Sequence, residues 1–227
     1  MNSTLKMAFA AAAVVVAGIA CSPVAVAPSS AVAPSLEPNP SHQAARMTVA
    51  GSALQFTAEL PAGWAPFDFG ASRDGDPPGM AFFVSLVDNT FTDPCAHVQR
   101  SPKVGSTVEA LAAALGEIPN TTATVPVQTT LAGNQATYIE LTIPASPPCI
   151  PEHFYLWQDS PNAYWWALAP KELIRVWIIE VGGQRVAIAA RSRPGTSEGV
   201  KAELQKILDS VVFDVTSTQP STTPAAS

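Results

Sequence analysis

His153 is the residue of this sequence best placed to act as a general acid or base, because acidic residues lie close to it in the chain. Glu152 precedes it directly, and Asp159 follows a few residues later. A Ser-His-Asp mechanism also needs a serine on a strained turn, and the chain contains no Gly-x-Ser-x-Gly or comparable motif. Tyr155 and Trp157 alternate with His153 along one strand face, which favours a simple histidine at the rim of an aromatic surface. A hydrolase that uses His153 is kept as the alternative hypothesis.

The three cysteines offer a different chemistry. Cys21 follows Gly-Ile-Ala, an order that resembles the lipobox of bacterial lipoproteins, in which the cysteine is acylated and becomes the N-terminus. Acylation of Cys21 leaves Cys95 and Cys149 to pair in the oxidising cell envelope, and closing a loop of about 55 residues stabilises by roughly 4 kcal/mol. The alternative is two free, buried thiols. No Cys-x-x-Cys or His-x-x-x-His spacing occurs, so the sequence predicts neither a metal site nor a cofactor.

A dense set of aromatic residues is the strongest indication of a binding surface. Trp165 and Trp166 are adjacent, so they point to opposite sides of a strand and one of them can face outward. Packing of a sheet against a helix would explain most of the set. The functional interpretation is an apolar pocket or docking patch for an envelope lipid, a glycan or a protein partner. Its predicted binding residues are Tyr155, Trp157, Trp165, Trp166, Trp177 and Arg175, the last of which can stack on an indole or pair with an anion.

The N-terminal region predicts the cellular compartment. Residues 1–20 have one cation, Lys6, followed by an apolar run that is short for a membrane span, which is the pattern of a signal peptide. Processing at Cys21 predicts a lipoprotein anchored to the outer face of the cell membrane. Cleavage after Ala25-Val26-Ala27 gives the alternative of a secreted chain. The formal net charge is −6 and no Lys/Arg cluster occurs, so nucleic acid is not expected as a partner.

The composition divides the chain into a tether, one domain and a tail. Residues 21–46, the lipidated cysteine and a Pro/Ala/Ser-rich stretch, contain almost no large apolar side chains and are predicted to be disordered. Residues 47–215 carry the periodic apolar segments of a single domain. Residues 216–227 resemble the tether in composition and are predicted to be a disordered tail.

Within the domain, the stretch 173–191 is the clearest element. Two β-rich runs flank Gly182-Gly183, which predicts a hairpin that is apolar on both faces and therefore lies inside a sheet. Apolar spacing predicts helices at 107–117 and 198–210. Further strands are predicted at 125–131, 135–143, 153–158 and 163–168. The pattern predicts an α+β fold in which two main helices flank an antiparallel sheet.

Several short motifs, in order, resemble a known family. They are Thr-Asp-Pro-Cys (92–95), Gly-Ser-Thr-Val-Glu-Ala-Leu (105–111), Leu-Ala-Gly-Asn-Gln-Ala (131–136), Glu-Leu-Thr-Ile-Pro (140–144), Cys149, Leu156-Trp157, Val-Trp-Ile (176–178) and Pro-Gly-Thr-Ser (194–197). Over residues 54–213 the chain resembles a family of exported actinobacterial proteins of uncharacterised activity, many of them lipoproteins. Pro-Ala-Gly-Trp at 61–64 also resembles the PsbP-like α/β/α sandwich. The resemblance implies that fold and a lipid anchor, and it implies no catalytic residues.

These observations predict a non-enzymatic envelope lipoprotein that binds a small apolar or amphipathic ligand, or a protein partner, through an aromatic face. A hydrolase or accessory enzyme based on His153 is the first alternative. A purely structural or assembly module, with a filled interior and no pocket, is the second.

Overall fold

The structure is a computed structural model that describes residues 42–73, 80–149, 153–160 and 163–215. The predicted signal peptide 1–20, Cys21, the tether up to residue 41, Glu152 and the tail 216–227 lie outside the described residues. The described part of the chain forms these elements in order: β1 Gln43–Thr48, β2 Gln55–Leu60, β3 Ala65–Phe67, β4 Gly70–Arg73, β5 Met80–Ser85, β6 Asn89–Asp93, β7 Val98–Gln99, α1 Val108–Gly116, β8 Thr122–Ala123, β9 Val127–Leu131, β10 Asn134–Thr142, β11 Phe154–Ser160, β12 Ala163–Ala167, β13 Leu173–Val181, β14 Gln184–Ser192, α2 Glu198–Asp209 and β15 Val212–Phe213.

Three antiparallel sheets organise these strands. The central sheet has the order β3-β4-β5-β14-β13-β10-β8, and β9 also pairs with β10. One small sheet has the order β1-β2-β15, and the other has the order β12-β11-β6-β7. The predicted hairpin is confirmed at the middle of the central sheet, where Val181 pairs with Gln184 across Gly182 and Gly183. Both glycines have positive φ, 58° and 74°, which side chains with a Cβ rarely adopt.

The hairpin is buried on both faces, as its apolar pattern predicts. Trp177, Ile179 and Val181 of β13 point to one side, where α2 and the sheet β1-β2-β15 cover them. Ile174, Val176 and Ile178 point to the other side, where α1 and the sheet β12-β11-β6-β7 cover them. Each face of the central sheet is therefore covered by one helix and one small sheet.

The predicted α/β/α sandwich with two flanking main helices is wrong. The described chain is mostly β-sheet, and its two helices have only 9 and 12 residues. Seven strands side by side span about 30 Å, whereas a helix is only about 10 Å across. One helix on each side leaves most of the apolar surface of the sheet uncovered, and strands complete both layers.

One boundary differs from the sequence analysis. The predicted tether ends at residue 46, but β1 begins at Gln43 and pairs Gln43 with Leu60, so the ordered domain starts before residue 47. Alternating burial of Ala45 and Met47 explains why this small-residue segment is held as a strand. Both helices lie close to their predicted positions, and each has an N-cap hydroxyl, Thr107 for α1 and Ser197 for α2.

The disulfide prediction is confirmed, since Cys95 and Cys149 are bonded with their Cα atoms 5.5 Å apart. The bond joins the loop after β6 to the loop before β11. It therefore fixes the start of the aromatic strands relative to the rest of the small sheet.

Candidate functional site

The structure divides the predicted aromatic set among separate places. Trp157 is only 2% exposed and packs in the core beneath α1. Trp177 is buried in the opposite core, beneath α2, where the Arg175 guanidinium carbon lies 5.4 Å from its ring centroid. The set therefore does not form one binding face.

A bulge in β11 explains why the alternation of side chains along a strand predicts the wrong face for Trp157. The pairing with β12 shifts register between Tyr155 and Trp157, so these two side chains do not share a face. Tyr155 instead points outward. It lies with its neighbours on what we call the outer aromatic face, formed by His97, His153, Tyr155, Tyr164 and Trp166.

The outer aromatic face is a close-packed layer of rings. The centroid of His97 lies 4.3 Å from those of both Tyr155 and Tyr164, and that of His153 lies 4.8 Å from Trp166. Asp159, near the end of β11, lies on the other side of this small sheet, where its Oδ2 accepts a hydrogen bond from the indole Nε1 of Trp165. His153 and Asp159 are thus on opposite faces, and the acid-base pairing considered for them is not formed.

Trp165 belongs to a second group of rings, which we call the Phe-Trp cluster and which consists of Phe67, Phe69, Phe83 and Trp165. The Trp165 centroid lies 4.2 Å from that of Phe83 and 5.5 Å from that of Phe69. Phe67 lies 5.1 Å from Phe69 and 5.8 Å from Phe83. All four rings are only partly buried. The cluster joins β3, the β3–β4 turn, β5 and β12 into one apolar surface.

A cleft runs along the Phe-Trp cluster in two adjoining lobes of about 220 Å³ and 380 Å³. The lobes share three lining residues, Trp165, Leu168 and Arg191. The larger lobe falls in the size range of small-ligand sites, roughly 300–1,000 Å³. Leu168, which lines both lobes, is 45% exposed.

Asp159 provides a polar group in the larger lobe. The residue is 6% exposed. This burial raises the pKa of the Asp159 carboxyl to about 8. At neutral pH the carboxyl is therefore mostly protonated, and its buried Oδ1 has no hydrogen-bond partner among the described residues.

Arg191 and Glu172 form a buried ion pair at the base of the cleft. Arg191 Nε donates to Glu172 Oε1 at 2.7 Å, and Nη2 donates to Oε2 at 2.9 Å. The same Nη2 donates to the backbone carbonyl of Trp166 at 2.9 Å, and Glu172 Oε2 also accepts from the Leu168 amide at 2.8 Å. The pair thus fixes both ends of the segment that carries Trp166 and Leu168, and it positions one wall of the cleft.

Sequence reasoning missed the three phenylalanines of the Phe-Trp cluster. Phe67 and Phe69 lie in the hairpin of β3 and β4, which was not predicted because its strands have only three and four residues. Two sequence features indicate these residues. Phe67 and Phe69 are separated by a single aspartate, and Phe82 and Phe83 are adjacent, so that only one of them, Phe82, is fully buried. Trp165 is the one predicted binding residue whose ring belongs to this cluster.

No protein-family model matches this chain, and no curated protein matches it either. The resemblance to exported lipoproteins therefore stays a prediction. Within the ranges described, neither helix is long and apolar enough to cross a bilayer. The same residues contain no group of three His, Cys, Asp or Glu side chains that could hold a metal ion.

Proposed function

We propose that this protein is an exported, lipid-anchored binding protein that holds a small apolar or amphipathic ligand in the cleft along the Phe-Trp cluster. The observation that carries the proposal is the cleft itself: the partly exposed rings of Phe69, Trp165 and Trp166 line a space of ligand size, and those of Phe67 and Phe83 line the adjoining smaller lobe. Rings that only filled a core would be covered. These rings instead remain accessible beside an exposed leucine, Leu168.

The polar groups of the cleft support binding more than catalysis. Glu172 holds Arg191 in a bidentate pair, and the Trp165 indole is hydrogen-bonded to Asp159. These groups are fixed and can orient a ligand. A nucleophile activated by a histidine is the signature of the hydrolase alternative, and His153 contacts rings of the outer aromatic face instead.

The proposal is tested with Nile red, a neutral apolar dye whose fluorescence rises on entering an apolar site. Trp165→Ala removes the central ring of the cleft, and Leu168→Gln changes its exposed edge at a cost to stability of at most about 0.5 kcal/mol. We expect both variants to bind the dye several-fold more weakly than the wild type. Tyr155→Ala, on the outer aromatic face, is the matched control and should bind like the wild type. Equal binding by the wild type and both cleft variants, or weakening by Tyr155→Ala alone, would overturn the assignment.

The envelope location is a separate part of the proposal and rests on the sequence. Intact mass spectrometry of the chain from detergent-solubilised membranes should show a diacylglyceryl-type mass increase on a protein that begins at Cys21. An unacylated chain with another N-terminus would support the secreted alternative and would leave the cleft proposal unaffected.

A further inference from the structure

We propose that the ligand of the cleft is a small anionic amphiphile, whose apolar body lies on the Phe-Trp cluster and whose carboxylate or phosphate head group pairs with Arg193. This inference rests on the proposed function and adds the chemical class of the ligand. It comes from the balance of charges that line the cleft.

The charged residues that line the two lobes are Asp159, Arg191 and Arg193. The charge of Arg191 is already matched by Glu172, with which it forms the buried pair. Asp159 carries little negative charge at neutral pH because its burial raises the pKa to about 8. Arg193 forms no ion pair with any carboxylate in the described part of the chain. Among the described residues that line the cleft, Arg193 is therefore the one positive charge without a carboxylate partner.

The position of Arg193 suits the head group of an amphiphile. The residue directly follows β14, and its backbone carbonyl accepts hydrogen bonds from the amide and hydroxyl of Thr196 at 3.2 Å and 2.8 Å. Its side chain lines the smaller lobe together with Phe67, Phe83 and Trp165, and it is partly exposed. An anion bound there can keep part of its hydration while its apolar body lies against the rings.

The overall charge of the protein makes this local positive charge informative. The whole chain is acidic, with a formal net charge of −6, so a general excess of surface cations does not explain a positive cleft. A guanidinium can form two parallel hydrogen bonds with a carboxylate or a phosphate, a geometry that an ammonium group does not provide.

The test compares four probes with the same chain length: decanoate, decyl phosphate, decanol and decylamine, each used below its critical micelle concentration or, for decanol, below its solubility limit. Isothermal titration calorimetry gives their affinities for the mature wild type, for Arg193→Gln and for Lys171→Gln. Lys171 is the matched control because it is a nearby exposed cation that does not line the cleft, and its substitution changes the net charge by the same amount.

We expect at least one anionic probe to bind the wild type more tightly than decanol and decylamine. Arg193→Gln should weaken that binding roughly tenfold, which is the loss of one charged hydrogen-bonded contact, and it should leave decanol unchanged. Lys171→Gln should behave like the wild type. The relative affinities of decanoate and decyl phosphate then identify the head group as carboxylate or phosphate.

Two results would overturn the inference without affecting the proposed function: decanol or decylamine binding as tightly as the anions, or equal loss of anion affinity in Arg193→Gln and Lys171→Gln. If none of the four probes binds and Nile red does not bind either, the proposed function itself fails. The two failures are therefore distinguishable.

Discussion

Removal of the Glu172 carboxylate tests whether the buried ion pair holds the wall of the cleft. The Glu172 side chain is fully buried, and that of Arg191 is only 10% exposed. Glu172→Ala would leave a buried guanidinium without a counter-charge and the Leu168 amide without its acceptor. Breaking a buried pair in this way costs about 3–5 kcal/mol. For comparison, the whole free energy of unfolding of a typical domain is only about 5–15 kcal/mol.

The assay is urea unfolding followed by tryptophan fluorescence. With a denaturant dependence of about 2 kcal/mol/M, a loss of 3–5 kcal/mol lowers the unfolding midpoint by about 1.5–2.5 M. The matched control is Glu198→Ala, which breaks the exposed pair with Lys201 on α2 and should cost at most about 0.5 kcal/mol. The double variant Glu172→Leu with Arg191→Met removes both charges and should recover much of the loss. Similar midpoints for Glu172→Ala and Glu198→Ala would refute the reasoning.

Two further predictions concern packing and protonation. Gly70→Ala should destabilise the domain and weaken Nile red binding, because a Cβ at this position would lie 2.0 Å from the Phe82 carbonyl oxygen. Gly116→Ala is the control: its Cβ meets only ordinary contacts, and it should stabilise α1 by up to about 1 kcal/mol in thermal unfolding. The second prediction concerns Asp159, whose pKa is raised by burial from 3.8 to about 8. Between these pH values the folded state binds more protons than the unfolded state. The wild type should therefore lose stability as pH rises through this window. The slope is at most about 1.4 kcal/mol per pH unit, and it should be absent in Asp159→Asn; parallel unfolding curves for the two proteins from pH 5 to pH 8 would contradict the assignment.

The parts of the fold that were predictable depend on local sequence signals. The hairpin of β13 and β14 follows from two glycines with positive φ between two apolar runs, and α2 follows from its periodic apolar residues and its N-cap Ser197. The layer arrangement does not follow from such signals. Which strands complete the cover on each face depends on pairings such as β6 with β11, where Asn89 pairs with Gln158 across a long stretch of chain.

The candidate site was less predictable than the fold for a related reason. One extra residue in β11 reverses the side to which Trp157 points, and no residue type in that stretch marks the bulge. The Phe-Trp cluster combines residues from three separate segments of the chain, so its members do not form a sequence pattern. Among the predicted residues, Trp165 belongs to the cluster and Trp166 also lines the larger lobe of the cleft. Their adjacency in the sequence already implied that one of the two faces outward.

The location of the cleft follows from where the sheets end. β3 is one edge of the central sheet, and β12 is one edge of the small sheet β12-β11-β6-β7. A sheet edge presents backbone groups without a strand partner. At β12 one such group, the Trp166 carbonyl, is satisfied by Arg191. Arg191, held by Glu172, therefore satisfies this edge group in place of another strand. Under the proposed function, substitutions that loosen Arg191 should therefore weaken Nile red binding even when the Phe-Trp cluster is intact, because Arg191 holds the segment that carries Trp166 and Leu168.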